Sequence, residues 1–316
     1  MSKKAIARIN QMSREEWLAL RMHGLGGSDA AAACGMSKWK SPLMLWLEKT
    51  GKQASQAAGE AAYWGTIMEP ILRNEFAKRT GLKVEEVPFM FQSQEHPFML
   101  ADVDGIVREA DGSVSLLEIK TAGSYAAAEW ADGLPAEYYL QIQHYLAVLE
   151  LPKAYVAVLL GGNQFSYHEI SRDDAVIKNI ISLEAAFWQQ VETGKEPPVD
   201  DSESTADALA IMYPKGNKTS LILPDEADAV VSYYLEVKSA EAQAKKEKIL
   251  CENKLKAMMQ DAECAKTPTG ISISWKSMST SRLDTTALKA AKPEIVNKYT
   301  VTATSRRFTV STKKSK

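Results

Sequence analysis

The sequence Leu100-Ala-Asp-Val-Asp-Gly-Ile-Val107, followed by Val114-Ser-Leu-Leu-Glu-Ile-Lys-Thr121, decides the fold of this chain. Both stretches are rich in aliphatic residues, including the β-branched valine and isoleucine that favour strands. The residues 109–112 between them end in Asp-Gly, a strong signal for a hairpin turn. We therefore predict neighbouring strands over 99–108 and 114–121. The hairpin brings Asp104 close to Glu118 and Lys120.

Glu118 and Lys120 alternate with Ile119 along the second strand, so that both charged side chains share one face. A Glu-x-Lys pair on a strand is ordinarily exposed to solvent, but Leu116, Leu117 and Ile119 indicate a buried strand, where unpaired charges are costly. Two carboxylates at close range repel each other unless a cation lies between them, and hard oxygen ligands favour Mg²⁺ or Mn²⁺. The hairpin therefore predicts a divalent metal site beside a lysine, which can orient a water or stabilise a charged transition state.

Two predicted helices add candidate side chains. Glu69 lies on a helix whose apolar residues face a core, although a surface glutamate before a proline is an equally simple interpretation. Gln141 and Tyr145 stand at i and i+4 and share a helix face, from which an amide and a phenol can hold a water or a phosphate over the metal. The alternative is a helix buried by its aromatic residues.

The rest of the first 200 residues alternates between helical and extended patterns. Apolar periodicity predicts helices over 13–23, 42–50, 59–80, 136–149 and 172–193, and strands over 82–91, 155–160 and 165–170. This order predicts an α/β fold in which a mixed central sheet is flanked by helices.

The chain divides by composition into a core over 1–196, a Pro-rich and Gly-containing connector over 197–224 and a C-terminal part over 225–316. Residues 225–260 are rich in Ala, Glu and Lys and predict a long helix or a helical hairpin arm. A small strand-helix-strand tail is expected over 271–310.

Charge is distributed unevenly along the chain. The formal net charge is −2, but residues 238–316 contain 17 Lys and Arg against 7 Asp and Glu, a net of +10 that leaves −12 for residues 1–237. Basic side chains that neutralise phosphates release counterions, so the basic C-terminal part suits a polyanion partner such as DNA.

Several classes of protein are not supported by the sequence. Three scattered cysteines form neither a disulfide framework nor a thiolate metal site, and the four histidines form no metal-ligand pair. A phosphate loop ending in Gly-Lys-Ser/Thr is absent, as is an apolar run of about 20 residues that could span a membrane. The expected location is the cytoplasm.

Taken together, the motifs resemble those of the YqaJ-like viral recombinases, which are relatives of the phage lambda exonuclease in the PD-(D/E)XK nuclease superfamily. The motifs, in order over about residues 14–200, are Arg21…Gly27-Ser28-Asp29, Gly65-x-x-x-Glu69, Asp104-Gly105, Glu118-x-Lys120 and Gln141-x-Gln143-His-Tyr145. The resemblance implies a restriction-endonuclease-like sheet and a Mg²⁺-dependent 5′-to-3′ exonuclease on linear double-stranded DNA. Such enzymes leave 3′ single-stranded tails for an annealing protein in recombination.

The resemblance also implies roles for individual residues. Asp104, Glu118 and the backbone carbonyl of Ile119 would be metal ligands, and Lys120 would activate the attacking water. Glu69 would complete the network around the water or around a second metal. Gln141 would orient that network, with Tyr145 in the same helix motif.

Arg21 and Ser28 stand seven residues apart, as do the Arg and Ser that bind the terminal 5′-phosphate in lambda-type enzymes. Three points differ from the family pattern or stay open. Val103 replaces the proline of the superfamily motif, Asp102 can share or take the ligand role of Asp104, and either Gln141 or Gln143 can face the metal.

Lambda-type enzymes form a homotrimeric ring around DNA, and we expect a homo-oligomer here, with 238–316 as a candidate grip on the duplex. Two other functions compete with the exonuclease. A structure-specific endonuclease or junction resolvase on the same fold would not need a pocket for a terminal phosphate. A non-catalytic DNA-binding recombination protein would not need to retain Glu69, Asp104, Glu118 and Lys120.

Overall fold

The computed structural model describes residues 3–54, 59–131, 133–302 and 304–311 and divides into two units between Tyr213 and Pro214. The strands of the first unit are β1 (Lys3–Arg8), β2 (Lys83–Glu85), β3 (Phe89–Ser93), β4 (Leu100–Ala101), β5 (Gly105–Arg108), β6 (Val114–Ala122), β7 (Lys153–Leu160) and β8 (Gln164–Ser171). Its α-helices are α1 (Arg14–Arg21), α2 (Gly27–Ala33), α3 (Pro42–Lys49), α4 (Glu60–Thr80), α5 (Ala127–Ala131), α6 (Ala136–Leu149), α7 (Asp174–Thr193) and α8 (Glu203–Met212).

A five-stranded mixed sheet in the order β2-β5-β6-β7-β8 forms the centre of this unit. The predicted hairpin is present, since β5 and β6 pair antiparallel with Gly105 opposite Leu117. Strand β7 then joins β6 in parallel, with Glu118 opposite Val156, through the crossover helix α6. The expected mixed α/β fold with a helix-flanked central sheet is confirmed.

Helices cover both faces of the sheet because β6 and β7 alternate between two apolar clusters. Leu116 and Val156 pack toward Leu146 of α6, whereas Leu117 and Ala157 pack toward Phe76 of α4. Side chains two residues apart on a strand point to the same face, so Glu118 and Lys120 lie on the face of Leu116, toward α6. The buried character of β6 positions two charged side chains against a helix instead of against water.

Helix α2 was not predicted, because its Gly-Ser-Asp-Ala-Ala-Ala-Ala sequence has no amphipathic period. It packs closely on α6. A Cβ atom on Gly27 would lie 2.6 Å from the ring of Tyr145, so only glycine allows this approach.

Residues 197–224 differ in part from the predicted connector. They contain α8, which begins at the capping residue Ser202, buries Thr205 and Ala208 and packs against α3. An apolar helix face therefore attaches part of this segment to the first unit, and the division of the chain falls within it.

The second unit contains the predicted long helix as α9 (Glu226–Met259), followed by β9 (Cys264–Lys266), β10 (Ser272–Ser274), α10 (Thr285–Ala291) and α11 (Pro293–Tyr299). Helix α9 is a single uninterrupted helix and not a helical hairpin. Residues 306–310, which were expected to form a strand, are not in a strand and pair with no other strand in the part of the chain that the structure describes. None of the described helices is long and apolar enough to cross a membrane.

Candidate active site

A network of three side chains joins β6 to α6. Lys120 Nζ donates to Glu118 Oε1 at 2.7 Å and to Gln141 Oε1 at 2.9 Å, while Gln141 Nε2 donates to Glu118 Oε1 at 2.7 Å. Glu118 and Gln141 are 4% and 7% exposed, so these charge-assisted bonds are formed out of water. The arrangement fixes the position of the lysine ammonium group relative to the carboxylate.

Gln143 is turned away from this network. Its amide donates to the carbonyl of Ser171 and accepts from the backbone N–H of Asp173. Gln143 therefore joins α6 to the start of α7, and Gln141 is the amide that faces the charged residues of β6.

Asp104 lies just before β5 and is attached to β6 through the backbone. Its Oδ2 accepts from the N–H of Ile119 at 2.7 Å. The N–H and C=O of one strand residue point to the same side, so the carbonyl of Ile119 also points toward Asp104, beyond the last β5–β6 pair at Gly105 and Leu117.

Burial and mutual repulsion act on the two carboxylates. Burial raises the pKa of Glu118, and the charge of Asp104 raises it further. Burial also raises the pKa of Asp104, with a second contribution from Glu69. For Lys120, burial acts to lower the pKa, but Glu118 and Asp104 outweigh it and the net shift is upward. The site contains more negative charge than its lysine compensates.

These residues fit a hard divalent cation. Glu118 Oε2 is buried and has no hydrogen-bond partner in the described part of the chain, which leaves an anionic oxygen available as a ligand. Among the described residues, no three side chains of His, Cys, Asp or Glu converge on one point. The protein would therefore supply two carboxylates and one backbone carbonyl, and a Mg²⁺ ion commonly completes such a set with water.

Glu69 approaches the site from the opposite face of the sheet, on α4. Gly65, one turn earlier, brings α4 beside the end of β6, since a Cβ atom there would lie 3.7 Å from Thr121 Oγ1. The carboxylate of Glu69 pairs with Arg73 at i+4. Burial raises the pKa of Glu69, although Arg73 opposes this shift. Sequence reasoning missed Arg73, which its i+4 spacing from Glu69 could have indicated.

Arg21 and Ser28 meet at a second charged cluster. Arg21 Nη2 donates to Ser28 Oγ and to Asp29 Oδ2, both at 2.8 Å. Lys49 Nζ also donates to Asp29 Oδ2, at 2.8 Å, from the last turn of α3. Asp29 thus accepts from two cations, and burial's upward effect on the Asp29 pKa is outweighed by Arg21 and Lys49. Lys49 was not predicted, because it lies 28 residues from Arg21 in the sequence.

Asp102 belongs to this second cluster more than to the first. Its Oδ2 accepts from Trp17 Nε1 at 3.1 Å, and the guanidinium of Arg21 lies 4.9 Å from the ring centre of Trp17. Asp104, by contrast, is bonded to Ile119. The alternative in which Asp102 takes the ligand position is therefore less well supported by the geometry.

Two tyrosines of α6 surround the network. Tyr145 is 3% exposed, packs on Gly27 and has its hydroxyl 3.4 Å from Gln141 Nε2. Tyr138 lies at the other end, where Lys120 Nζ is 5.0 Å from its ring centre. The ring of Trp130 is 5.4 Å from that of Tyr138. Tyr138 and Trp130 were not singled out in the sequence.

Residues 16–152 match the YqaJ-like viral recombinase domain. The chain is 38% identical to uncharacterized protein YqaJ of Bacillus subtilis (strain 168) over an alignment of 319 residues. This alignment covers 97% of this chain and 98% of that relative. The structure is also similar to the alkaline exonuclease LHK-Exo of Laribacter hongkongensis, with 26% identity over 57% of this chain and 94% of that chain and a TM-score of 0.48. A phage related exonuclease of Haemophilus somnus 129PT matches with 13% identity over 56% of this chain and 99% of that chain, with a TM-score of 0.42.

Proposed function

This chain belongs to the YqaJ-like viral recombinase family, and from that membership we propose that it is a metal-dependent exonuclease on linear double-stranded DNA. The enzyme degrades one strand in the 5′-to-3′ direction and leaves 3′ single-stranded tails for an annealing protein. The observation that carries this proposal is the buried network of Glu118, Lys120 and Gln141 beside Asp104. Buried carboxylates with an adjoining lysine are costly to stability and are typical of catalytic sites.

Asp104, Glu118 and the carbonyl of Ile119 would hold Mg²⁺ or Mn²⁺, which when bound neutralises the carboxylates and polarises a phosphoryl oxygen as a Lewis acid. Lys120 supplies a positive charge for the attacking water and for the transition state. Gln141 holds that ammonium group in place. Glu69 adds a carboxylate at the edge of the site, held by Arg73.

The cluster of Arg21 and Ser28 supports an end-specific enzyme. A guanidinium and a hydroxyl are suitable donors for a terminal 5′-phosphate, and Lys49 adds a second cation to this cluster. A junction resolvase or other endonuclease does not need such a pocket. A non-catalytic DNA-binding protein does not need the buried network of Glu118, Lys120 and Gln141.

One comparison of substrates tests this function. Linear duplex with a 5′-phosphate, the same duplex with a 5′-hydroxyl and a closed circle are incubated with and without Mg²⁺. We expect loss of the linear duplex only with metal, faster for the 5′-phosphate, and an intact circle. Lys120→Met, which keeps the length of the side chain, should bind DNA without cutting it. Nicking of the circle would favour the endonuclease, and absence of cleavage with Mg²⁺ and with Mn²⁺ would favour the non-catalytic protein.

We also propose that the enzyme is a homo-oligomer, in which a ring of three chains around DNA would make digestion processive without an ATP-binding loop. The basic residues of 238–316 are the candidate contacts to the duplex phosphates. Light scattering that returns only a monomer in the presence of DNA ends would contradict this assembly.

A further inference from the structure

Helix α9 carries a largely apolar seam that no described residue of its own unit covers. The seam consists of residues three and four apart along one face, of which eight are apolar or small and one is the lysine at its fourth position from the C-terminal end. Every member is exposed: Val230, Tyr233, Val237, Ala240, Ala244, Lys248, Cys251, Leu255 and Met258. It extends over about 42 Å at a rise of 1.5 Å per residue. Phe308 of the C-terminal tail packs on Tyr234, which lies beside the seam, and leaves the seam itself open. On each side of Ala244 the spacings alternate between four and three, which is the pattern of helices that pair with another helix.

The spacing of the seam is symmetric about Ala244. Going outward from Ala244, members occur 4, 7, 11 and 14 residues away in both directions. If two copies of α9 cross antiparallel at this residue, Val230 of one lies opposite Met258 of the other, Tyr233 opposite Leu255 and Val237 opposite Cys251. Ala244 faces its own copy, where a small side chain permits close approach. A parallel pair with the same seam has no need of this symmetry.

Charge along α9 favours the same orientation. Residues 226–243 contain four acidic residues and one lysine, whereas residues 245–259 contain five lysines and two glutamates. An antiparallel pair brings the acidic half of each helix against the basic half of the other, and a parallel pair brings like charges together. Flanking charges of this kind set the orientation of paired helices.

We propose that α9 is a self-association element, in which two copies of this chain pair antiparallel through the seam about Ala244. Such a contact is two-fold symmetric and joins chains in twos. It is independent of the proposed nuclease activity. If the enzyme also forms three-chain rings, the arms connect one ring to another.

Disulfide trapping tests the pair and its orientation in the full chain. With Cys34 and Cys264 replaced by Ser, Val237→Cys should form an interchain disulfide with native Cys251 under mild oxidation. The matched control, Val237→Cys combined with Cys251→Ser, should not form it, because the two copies of residue 237 are offset by about 21 Å in the antiparallel pair and a disulfide needs Cα atoms within about 7 Å. Equal cross-linking of the control would show a parallel pair and overturn the proposal.

A charge placed at the symmetry axis tests the association without oxidation. Ala244→Glu introduces two facing carboxylates and should weaken self-association at least tenfold, whereas Ala242→Glu places the same charge on the opposite face of α9 and should leave it unchanged. Glutamate is a good helix former, so circular dichroism should show the same helix content in both variants. Sedimentation of the wild-type chain as a monomer across the micromolar range, or as a three-chain species alone, would overturn the proposal.

Discussion

Replacement of Tyr138 tests whether an aromatic ring holds the proposed catalytic lysine. The ammonium group of Lys120 lies 5.0 Å from the ring centre, within the range of a cation–π interaction, and its side chain is 19% exposed. A partly desolvated interaction of this kind contributes about 1 to 2 kcal/mol. Tyr138→Leu should therefore lower kcat by about 5- to 30-fold if the loss appears fully in the transition state.

The matched control is Tyr138→Phe, which keeps the ring and its packing on Trp130. Because the ring acts through Lys120 and not on DNA, the loss in Tyr138→Leu should appear in kcat with KM nearly constant. The rates are measured on 5′-phosphorylated linear duplex with saturating Mg²⁺. An equal loss in Tyr138→Phe would assign the effect to the hydroxyl group, and a change in KM alone would assign Tyr138 to DNA binding. Either result would refute the proposed role of the ring.

Three further changes test the electrostatics of the first unit. Because burial and Glu69 raise the pKa of Asp104, the stability of the metal-free protein should fall as pH rises above the ordinary value of 3.8. Asp104→Asn should then raise the Tm of the metal-free protein at neutral pH by about 2 to 4 °C. The same substitution should abolish the increase in Tm that Mn²⁺ produces. If Mn²⁺ still raises the Tm by the wild-type amount, Asp104 is not a metal ligand. Asp29→Asn removes the carboxylate that Arg21 and Lys49 share and should cost about 3 to 5 kcal/mol in the free energy of unfolding, measured with urea. A cost below about 1 kcal/mol would contradict the buried ion cluster. His144 is fully buried and hydrogen-bonded to Glu184. Burial acts to lower the pKa of His144, but the charge of Glu184 outweighs it and the net shift is upward. This pair should therefore stabilise the fold fully below pH 6.5, and the contribution should be lost as pH rises through the raised pKa of His144. Glu184→Gln should flatten this decline in a pH series of unfolding curves, and an unaltered slope would assign the decline to other groups.

The elements that sequence patterns predicted well are those in which burial and local preference agree. Strand β6 joins strand-forming residues to an Asp-Gly turn, and α6 has both an apolar period and an ending before Pro152, so both were located to within a few residues. Strand β1 and helix α2 were missed for opposite reasons. Half of the residues of β1 are charged, and β1 lies at the edge of a three-stranded sheet in the order β1-β3-β4. Helix α2 is a short, alanine-rich run that is buried because Gly27 lets it approach α6.

The same distinction holds for the candidate site. Glu118 and Lys120 are two residues apart on one strand, and the period of the strand alone predicts that they meet. Lys49 and Tyr138 take part through contacts between different elements. Asp29 belongs to the Gly27-Ser28-Asp29 motif, but its two cationic partners come from α1 and α3. Pairings of this kind depend on tertiary packing, which spacing in the sequence does not encode.

The separation of Asp102 from Asp104 shows how one short segment can serve two sites. The two acids stand on either side of Val103, whose side chain is buried in the core and fixes the backbone between them. Asp104 is drawn to the N–H of Ile119 on β6, and Asp102 is drawn to the indole of Trp17 on α1. Each carboxylate therefore lies where a donor is available, and the buried Val103 between them connects the network of Glu118, Lys120 and Gln141 to the Arg21 cluster. If the first site cuts DNA and the second holds its 5′-phosphate, this connection determines how many nucleotides separate the held end from the bond that is cleaved. A substitution such as Val103→Ala, which loosens the connection and leaves both carboxylates in place, should therefore alter the length of the products before it alters the affinity for DNA ends.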